Sequence, residues 1–240
     1  MEDLKDLEVK PFETADGGDY RNINISGIGK IKSNINTEVL EVNGLGTIFG
    51  DIEAESIMVS GSLTAEKDVT ATYIFNSKGI SNLNKNLICD ELLVQGNLSV
   101  KGNIKFINAK LRGMFASRGI LTGDNFDLLG TVDIAGEIRV DNIKVYFKEK
   151  SSIKGIICDD LEIVTDKEKK TGLLDKFKSK NILRCNEITG KKIYIENVEC
   201  KFISGDEVII GDNCKIEKVE YKSKFEFAKT SEVKEFVCKK

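Results

Sequence analysis

Ile31-Lys-Ser-Asn-Ile-Asn-Thr-Glu-Val-Leu-Glu-Val42 is followed, seventeen residues on, by Ile48-Phe-Gly-Asp-Ile-Glu-Ala-Glu-Ser-Ile-Met-Val59. The two lines carry apolar residues at matching positions. Glycines keep the same step: Gly27, Gly44, Gly61, Gly79, Gly96, Gly113 and Gly130 recur every seventeen positions, with one step of eighteen, before Gly79. A second series, Gly102, Gly119 and Gly136, keeps the same step of seventeen, and Gly50 falls in its phase. Further along, Leu87-Ile-Cys-Asp-Glu-Leu-Leu-Val94 returns as Ile156-Ile-Cys-Asp-Asp-Leu-Glu-Ile163. A fixed period of this length is the mark of a repeat architecture.

Within each unit apolar and polar residues alternate, as in Ile23-Asn-Ile25 and Val132-Asp-Ile-Ala-Gly-Glu-Ile-Arg-Val140. Period two is the pattern of a half-buried strand. Such a repeat is too short for a strand-helix-strand unit, which needs about 30 residues. It fits one turn of a parallel β-helix, with three short strands and three corners. One turn cannot bury its apolar face alone; turns stacked ~4.8 Å apart join their inward residues into a core. Glycines in one phase then belong at corners, where a left-handed backbone angle carries no Cβ penalty. A single Pro agrees, because an interior strand needs its N–H for the ladder. The expected fold class is therefore all-β.

Composition narrows the chemistry. The chain has 240 residues, 36 Lys plus Arg against 39 Asp plus Glu, and neither His nor Trp. The net charge of −3 does not suit a nucleic-acid-binding protein. Without imidazole, Ser-His and Cys-His nucleophile pairs and the usual zinc hydrolase sites are excluded. No apolar run approaches the ~18 residues of a membrane span, and the acidic start does not read as a secretory signal. Six cysteines without a C-x-x-C pair read as free thiols in a reducing cytoplasm, with no metal site. Cys89, Cys158 and Cys185 are placed in one repeat phase beside inward residues, as core side chains.

The repeat divides the chain. Residues 1–20 carry seven acids, two bases and the only Pro, and read as a flexible acidic tail. Residues 21–164 form the β-helix main body and 181–227 its continuation, together one elongated domain. Between them, 165–180 holds six Lys against three acids, a cationic insertion that is either a solvated loop or a short amphipathic helix. There Leu173, Leu174 and Phe177, ringed by Lys176, Lys178 and Lys180, are the candidates for contact with an anionic membrane or a partner. Residues 228–240 are a basic C-terminal tail; around Phe225, Phe227, Val233 and Phe236 the last twenty residues either add a closing strand or lie loosely on the stack.

Enzymatic motifs fare poorly. Gly44-Leu-Gly-Thr-Ile-Phe-Gly50 is followed by more strand, not by the helix a dinucleotide loop requires. The pairs Asp159–Asp160, Asp124–Asp127 and Asp206–Glu207 fall at turns or outward positions rather than in a cleft. Ile210-Gly-Asp-Asn-Cys-Lys215 matches one hexapeptide unit of the left-handed β-helix acyltransferases, whose general base is a His that this chain lacks. No catalytic residue, cofactor or metal is expected.

Gly44-Leu-Gly-Thr-Ile-Phe-Gly-Asp-Ile52, with Val-x-Gly closing each turn, resembles the bactofilins, polymer-forming cytoskeletal proteins of bacteria. Ile193-Tyr-Ile-Glu-Asn-Val198, Ser204-Gly-Asp-Glu-Val-Ile-Ile-Gly-Asp-Asn-Cys214 and Val219-Glu-Tyr221 are similar to the closing part of longer members from Bacillus- and Clostridium-like bacteria. The resemblance covers about residues 20–221. It implies a right-handed parallel β-helix that associates head-to-head or tail-to-tail into nucleotide-free filaments. It also implies a cytoplasmic scaffold role in cell shape, wall placement or motility, with itself or a related bactofilin as partner. This chain departs from the family in having more turns, an insertion and no apolar N-terminal patch for membrane targeting.

The leading expectation is a non-enzymatic scaffold that self-associates through the ends of its β-helix. Ile23, Ile25 and Ile28 are the candidates at the start, and Phe225, Phe227 and Val233 at the finish. The alternatives are a monomeric adaptor docking through 165–180, or a carbohydrate-binding or carbohydrate-active β-helix.

Overall fold

The computed structural model describes residues 4–165 and 181–239. Among them there are strands and no helix, and the strands pair in parallel. The chain divides into two compact units, Met1–Gly123 and Asp124–Lys240. Each is a parallel β-solenoid.

In the first unit, β3 (Gly18–Ile25), β5 (Ile35–Val42), β7 (Ile52–Val59), β9 (Val69–Ser77) and β11 (Leu87–Val94) stack in that order. A second ladder joins the four-residue strands β4 (Ile28–Ile31), β6 (Leu45–Ile48), β8 (Ser62–Ala65), β10 (Ile80–Leu83) and β12 (Asn97–Val100). It ends on Met114–Ser117 of β14 (Asn108–Ser117). Alternation puts one residue in and the next out, so in-register columns form. Ile23, Leu40, Ile57, Phe75, Leu92 and Ala109 make one core column. The step from turn to turn is seventeen except between β7 and β9, where a bulge opposite Ala54 and Ser56 takes up one extra residue. That bulge accounts for the longer step before Gly79.

The glycine phase has a different cause from the expected left-handed angle. A Cβ on Gly44, Gly61, Gly79 or Gly96 would lie 1.9–2.1 Å from the carbonyl oxygen of the glycine one turn earlier. Only Gly113 and Gly130 of the series have positive φ. The corner requires glycine because successive backbones approach too closely there for any side chain. Gly130 lies inside the continuous strand β15 (Leu121–Phe147). At a second corner, Asn34, Asp51, Asp68, Asn86 and Asn103 each accept, through the side chain, the backbone N–H one turn later, at 2.8–3.2 Å. This polar ladder satisfies donors that the turn leaves without a backbone partner.

In the second unit, β15 is followed by β16 (Ser151–Ile157), β17 (Asp160–Thr165), β18 (Leu183–Ile195), β19 (Val198–Ile210), β20 (Lys215–Phe227) and β21 (Glu232–Cys238). The register passes from Ile153 to Cys185, a step of thirty-two, and then to Cys200, Ile216 and Val233, at steps of fifteen, sixteen and seventeen. The long step contains residues 166–180, so the insertion, with Leu173, Leu174, Phe177, Lys176, Lys178 and Lys180, lies outside the described residues.

The flexible acidic tail expected from composition is corrected, and of the two alternatives left for the last twenty residues the structure has the closing strand. Leu7–Val9 (β1) pairs with β3, Leu7 opposite Ile23 and Val9 opposite Ile25, and Thr14–Ala15 (β2) pairs with β4. Acid-rich composition did not stop Leu7-Glu-Val9 from burying Val9, because its acids point outward and bond the next turn. Likewise, β21 lies within the expected basic tail and pairs along β20.

Candidate assembly surface

A solenoid end exposes a cross-section of its core and one row of backbone groups without a strand partner. Among the described residues, no strand lies beyond the final turn of the second unit. Cys185, Cys200, Ile216 and Val233 form one inward column, and Ile188, Ile203, Val219 and Phe236 the next. Val233 and Phe236 therefore sit on top of the core. The columns through Val208 and Ile210 stop one turn earlier, at Phe225 and Phe227, with no strand paired above them among the described residues. Phe225 is the hub of the cap: its ring centroid lies 5.2 Å from Tyr221, 5.6 Å from Phe227 and 5.1 Å from Phe236. Phe227 remains 46% exposed and Phe236 51%. Aromatic rings half in contact with one another and half with water are typical anchors of protein interfaces.

Ion pairs hold this last turn in place. Lys218 bridges Glu235 at 3.1 Å and Glu220 at 3.5 Å, Lys239 pairs with Glu220, and Lys222 meets Asp206 at 2.7 Å. Lys239, then Lys218, hold the Glu220 carboxyl below its ordinary range.

The first unit ends differently. Its terminal strands, β1 and β2, have three and two residues, and Pro11 stands between them. Arg21 grips Asp6 with two hydrogen bonds of 3.0 and 2.8 Å, Asn24 donates to Glu8, and Lys32 pairs with Asp16 at 2.9 Å. Short strands, Pro and charge are the devices that blunt a sheet edge.

Phe225, Phe227 and Val233 thus stand together at one end, joined by Phe236, which the sequence reading grouped with them without choosing it. The start is corrected. Ile23 and Ile25 are fully buried one turn in, beneath Leu7 and Val9, and are unavailable to a partner. Ile28 is exposed, but on the flank, outward from β4. The offset of sixteen from Leu7 and Val9 to Ile23 and Ile25 was the signal for the extra turn.

Burial pushes the thiols of Cys89 and Cys158 up to about 12 and that of Cys214 up to about 11. Cys200 is also raised, first by its hydrogen bond with Cys185 and then by burial. These thiols are poor nucleophiles. Cys185 stacks on Ile153, whereas Cys158 follows Ile157 into the next column and bonds the Thr189 carbonyl at 3.7 Å, so the two do not share the expected phase. Asp159 bonds Lys191 at 2.6 Å, and Asp206 is the partner of Lys222 already described. Among the described residues no cluster of three or more side chains suits a metal, and no helix is long and apolar enough to cross a membrane.

No family profile matches the chain, and no solved structure matches it. Over 58 residues it is 40% identical to the uncharacterized protein YhbF of Bacillus subtilis. That stretch is 24% of this chain and spans about a quarter, 25%, of the relative's length.

Proposed function

We propose that the protein is a non-enzymatic cytoplasmic scaffold whose second unit pairs with that of another copy, C-terminal end to C-terminal end, without nucleotide. The observation behind this is the open final turn, with Phe225, Phe227, Val233 and Phe236 over the core and the seven-residue edge of β21 beside them. A twofold axis running between Lys234 and Glu235 brings Val233 opposite Phe236 of the other copy. It also brings Lys234 opposite Glu235. The strand is thus complementary to itself in both apolar and charged positions, as an isologous contact requires. The likeness to bactofilins points the same way, toward a role in cell shape, wall placement or motility.

Sedimentation velocity and light scattering of the wild type against Phe227→Lys/Phe236→Lys test this, with circular dichroism confirming that the variant folds. The expected result is a dimer or larger particle for the wild type and loss of that contact in the variant. A wild type that stays monomeric at every concentration, or a folded variant of unchanged mass, overturns the proposal. Should the double variant fail to fold, Val237→Lys, on an exposed position of the same strand, is read in its place.

A further inference from the structure

The four-residue strands of the first unit carry a second surface. Their first outward positions are in register: Ile28, Leu45, Ser62, Ile80, Asn97 and Met114. The four apolar members are between 46% and 55% exposed. Phe12, held at φ 64° after Pro11, adds an 83% exposed ring one turn earlier, its N–H donating to the Ile28 carbonyl at 2.7 Å. The second outward column is Lys30, Thr47, Thr64, Asn82, Ser99 and Ala116. Across both columns Lys30 is the one charged side chain. With 31% charged residues in the chain, about four would be expected there, and depletion of charge is what distinguishes the centre of an interface from ordinary surface.

We infer that this face is a lateral contact between two copies of the chain, distinct from the C-terminal end. A single cation gives no purchase on an anionic membrane or nucleic acid, which call for clusters of Lys and Arg. A flat sheet lacks the concavity of a small-molecule site. It does match another flat sheet, packed face to face at ~10 Å. The order Ile, Leu, Ser, Ile, Asn, Met is complementary to its own reverse. A twofold axis between the Ser62 and Ile80 turns sets Ile80 against Ser62 of the second copy, Leu45 against Asn97, and Ile28 against Met114. Large side chains thereby meet small or polar ones at the centre. Six turns ~4.8 Å apart and four residues of ~3.3 Å give a flat footprint of roughly 300 Å² per copy, below the ~800 Å² per partner of a standard interface, so the contact is a weak, transient one. Two different isologous contacts on one chain would link copies into open chains.

The test uses full-length protein carrying Phe227→Lys/Phe236→Lys, in which the C-terminal contact is closed, so failure here and failure of the proposed function read out separately. In concentration series well above micromolar the expected result is a dimer that Leu45→Glu/Ile80→Glu weakens at least about tenfold. In the same background with Cys238→Ser, a bis-maleimide should link a mixture of Ile28→Cys and Met114→Cys chains but neither alone. A strictly monomeric background protein, a dimer indifferent to Leu45→Glu/Ile80→Glu, or crosslinking of Ile28→Cys to itself overturns the inference. So does a monomer that instead sediments with neutral phosphatidylcholine vesicles through Leu45 and Ile80.

Discussion

The first turn of the first unit and the last turn of the second face the same problem with opposite outcomes. Each ends a parallel ladder, and each must deal with unpaired backbone and a cut core. At the start, β1 and β2 contribute five strand residues, interrupted by Pro11, and their acids are tied down by Arg21, Asn24 and Lys32. At the finish, β21 runs seven residues and leaves Phe227, Phe236 and Val237 exposed. An edge that is long and free of Pro, with exposed apolar side chains, invites another strand; one that is short and interrupted by Pro does not. On the proposed reading, this difference in the chemistry of two short segments is what makes the C-terminal end the adhesive one.

Removing the N-terminal cap should break the contrast most severely. Deleting residues 1–16 leaves β3, eight residues without Pro, as the edge and uncovers Ile23, Ile25 and Ile31, all fully buried in the intact chain. At concentrations where the intact chain stops at dimers, light scattering should then report particles many times heavier, because a second adhesive end converts a closed pair into open assemblies. An unchanged mass would mean that β1 and β2 do not guard the core.

A milder change sharpens the comparison. Phe236 and Phe12 are both exposed aromatic side chains, but Phe236 caps the core while Phe12 projects from a flank. Burying a Phe side chain is worth about 1.5–3 kcal/mol. Phe236 is already half buried, and a twofold contact counts it twice, so Phe236→Ala should cost the pair about the same total. That is roughly a 10- to 100-fold rise in the C-terminal dissociation constant. Phe12→Ala should leave that constant alone. Equal effects from the two would remove the distinction between cap and flank.

Much of this was legible in the residues. Glycines at steps of seventeen gave the turn length, and the extra residue before Gly79 became the bulge near Tyr73. Phe225, Phe227 and Val233 were recognisable as a group because apolar and charged residues alternate around them in the last twenty residues. The first turn was hidden by composition: the acids and Pro11 suggested disorder, while the burying pair Leu7 and Val9 belongs to a strand of only three residues. The cause of the glycine phase, carbonyl oxygens 1.9–2.1 Å from where a Cβ would stand, is a contact between turns that no single turn reveals. The outward column through Leu45 and Ile80 needed the register too, since Ile28 taken alone looked like part of the end. The step of thirty-two from Ile153 to Cys185, which is not a multiple of seventeen, is what separates Cys185 from the phase of Cys158.

The smallest expected effect is one of pH. At the start, hydrogen bonds from the Arg21 guanidinium hold the Asp6 carboxyl below its ordinary range; at the finish, Lys239 does the same for Glu220. A carboxyl whose folded pKa is depressed adds stability above its unfolded value, near about 4, and loses it as pH falls through the folded value. Both end turns should therefore hold fast at neutral pH and loosen only in acid. The groups are solvent-exposed, so salt should weaken the effect. Hydrogen exchange of β1 and β21 amides followed from about pH 5 to about pH 3, each rate corrected for intrinsic exchange, measures it. Protection of β1 should fall in this window, and Asp6→Asn should flatten that fall while leaving the β21 profile as it was. If Asp6→Asn altered both strands alike, the two ends would not be independent, and the contrast between a guarded and an adhesive end would have to be sought in the molecule as a whole.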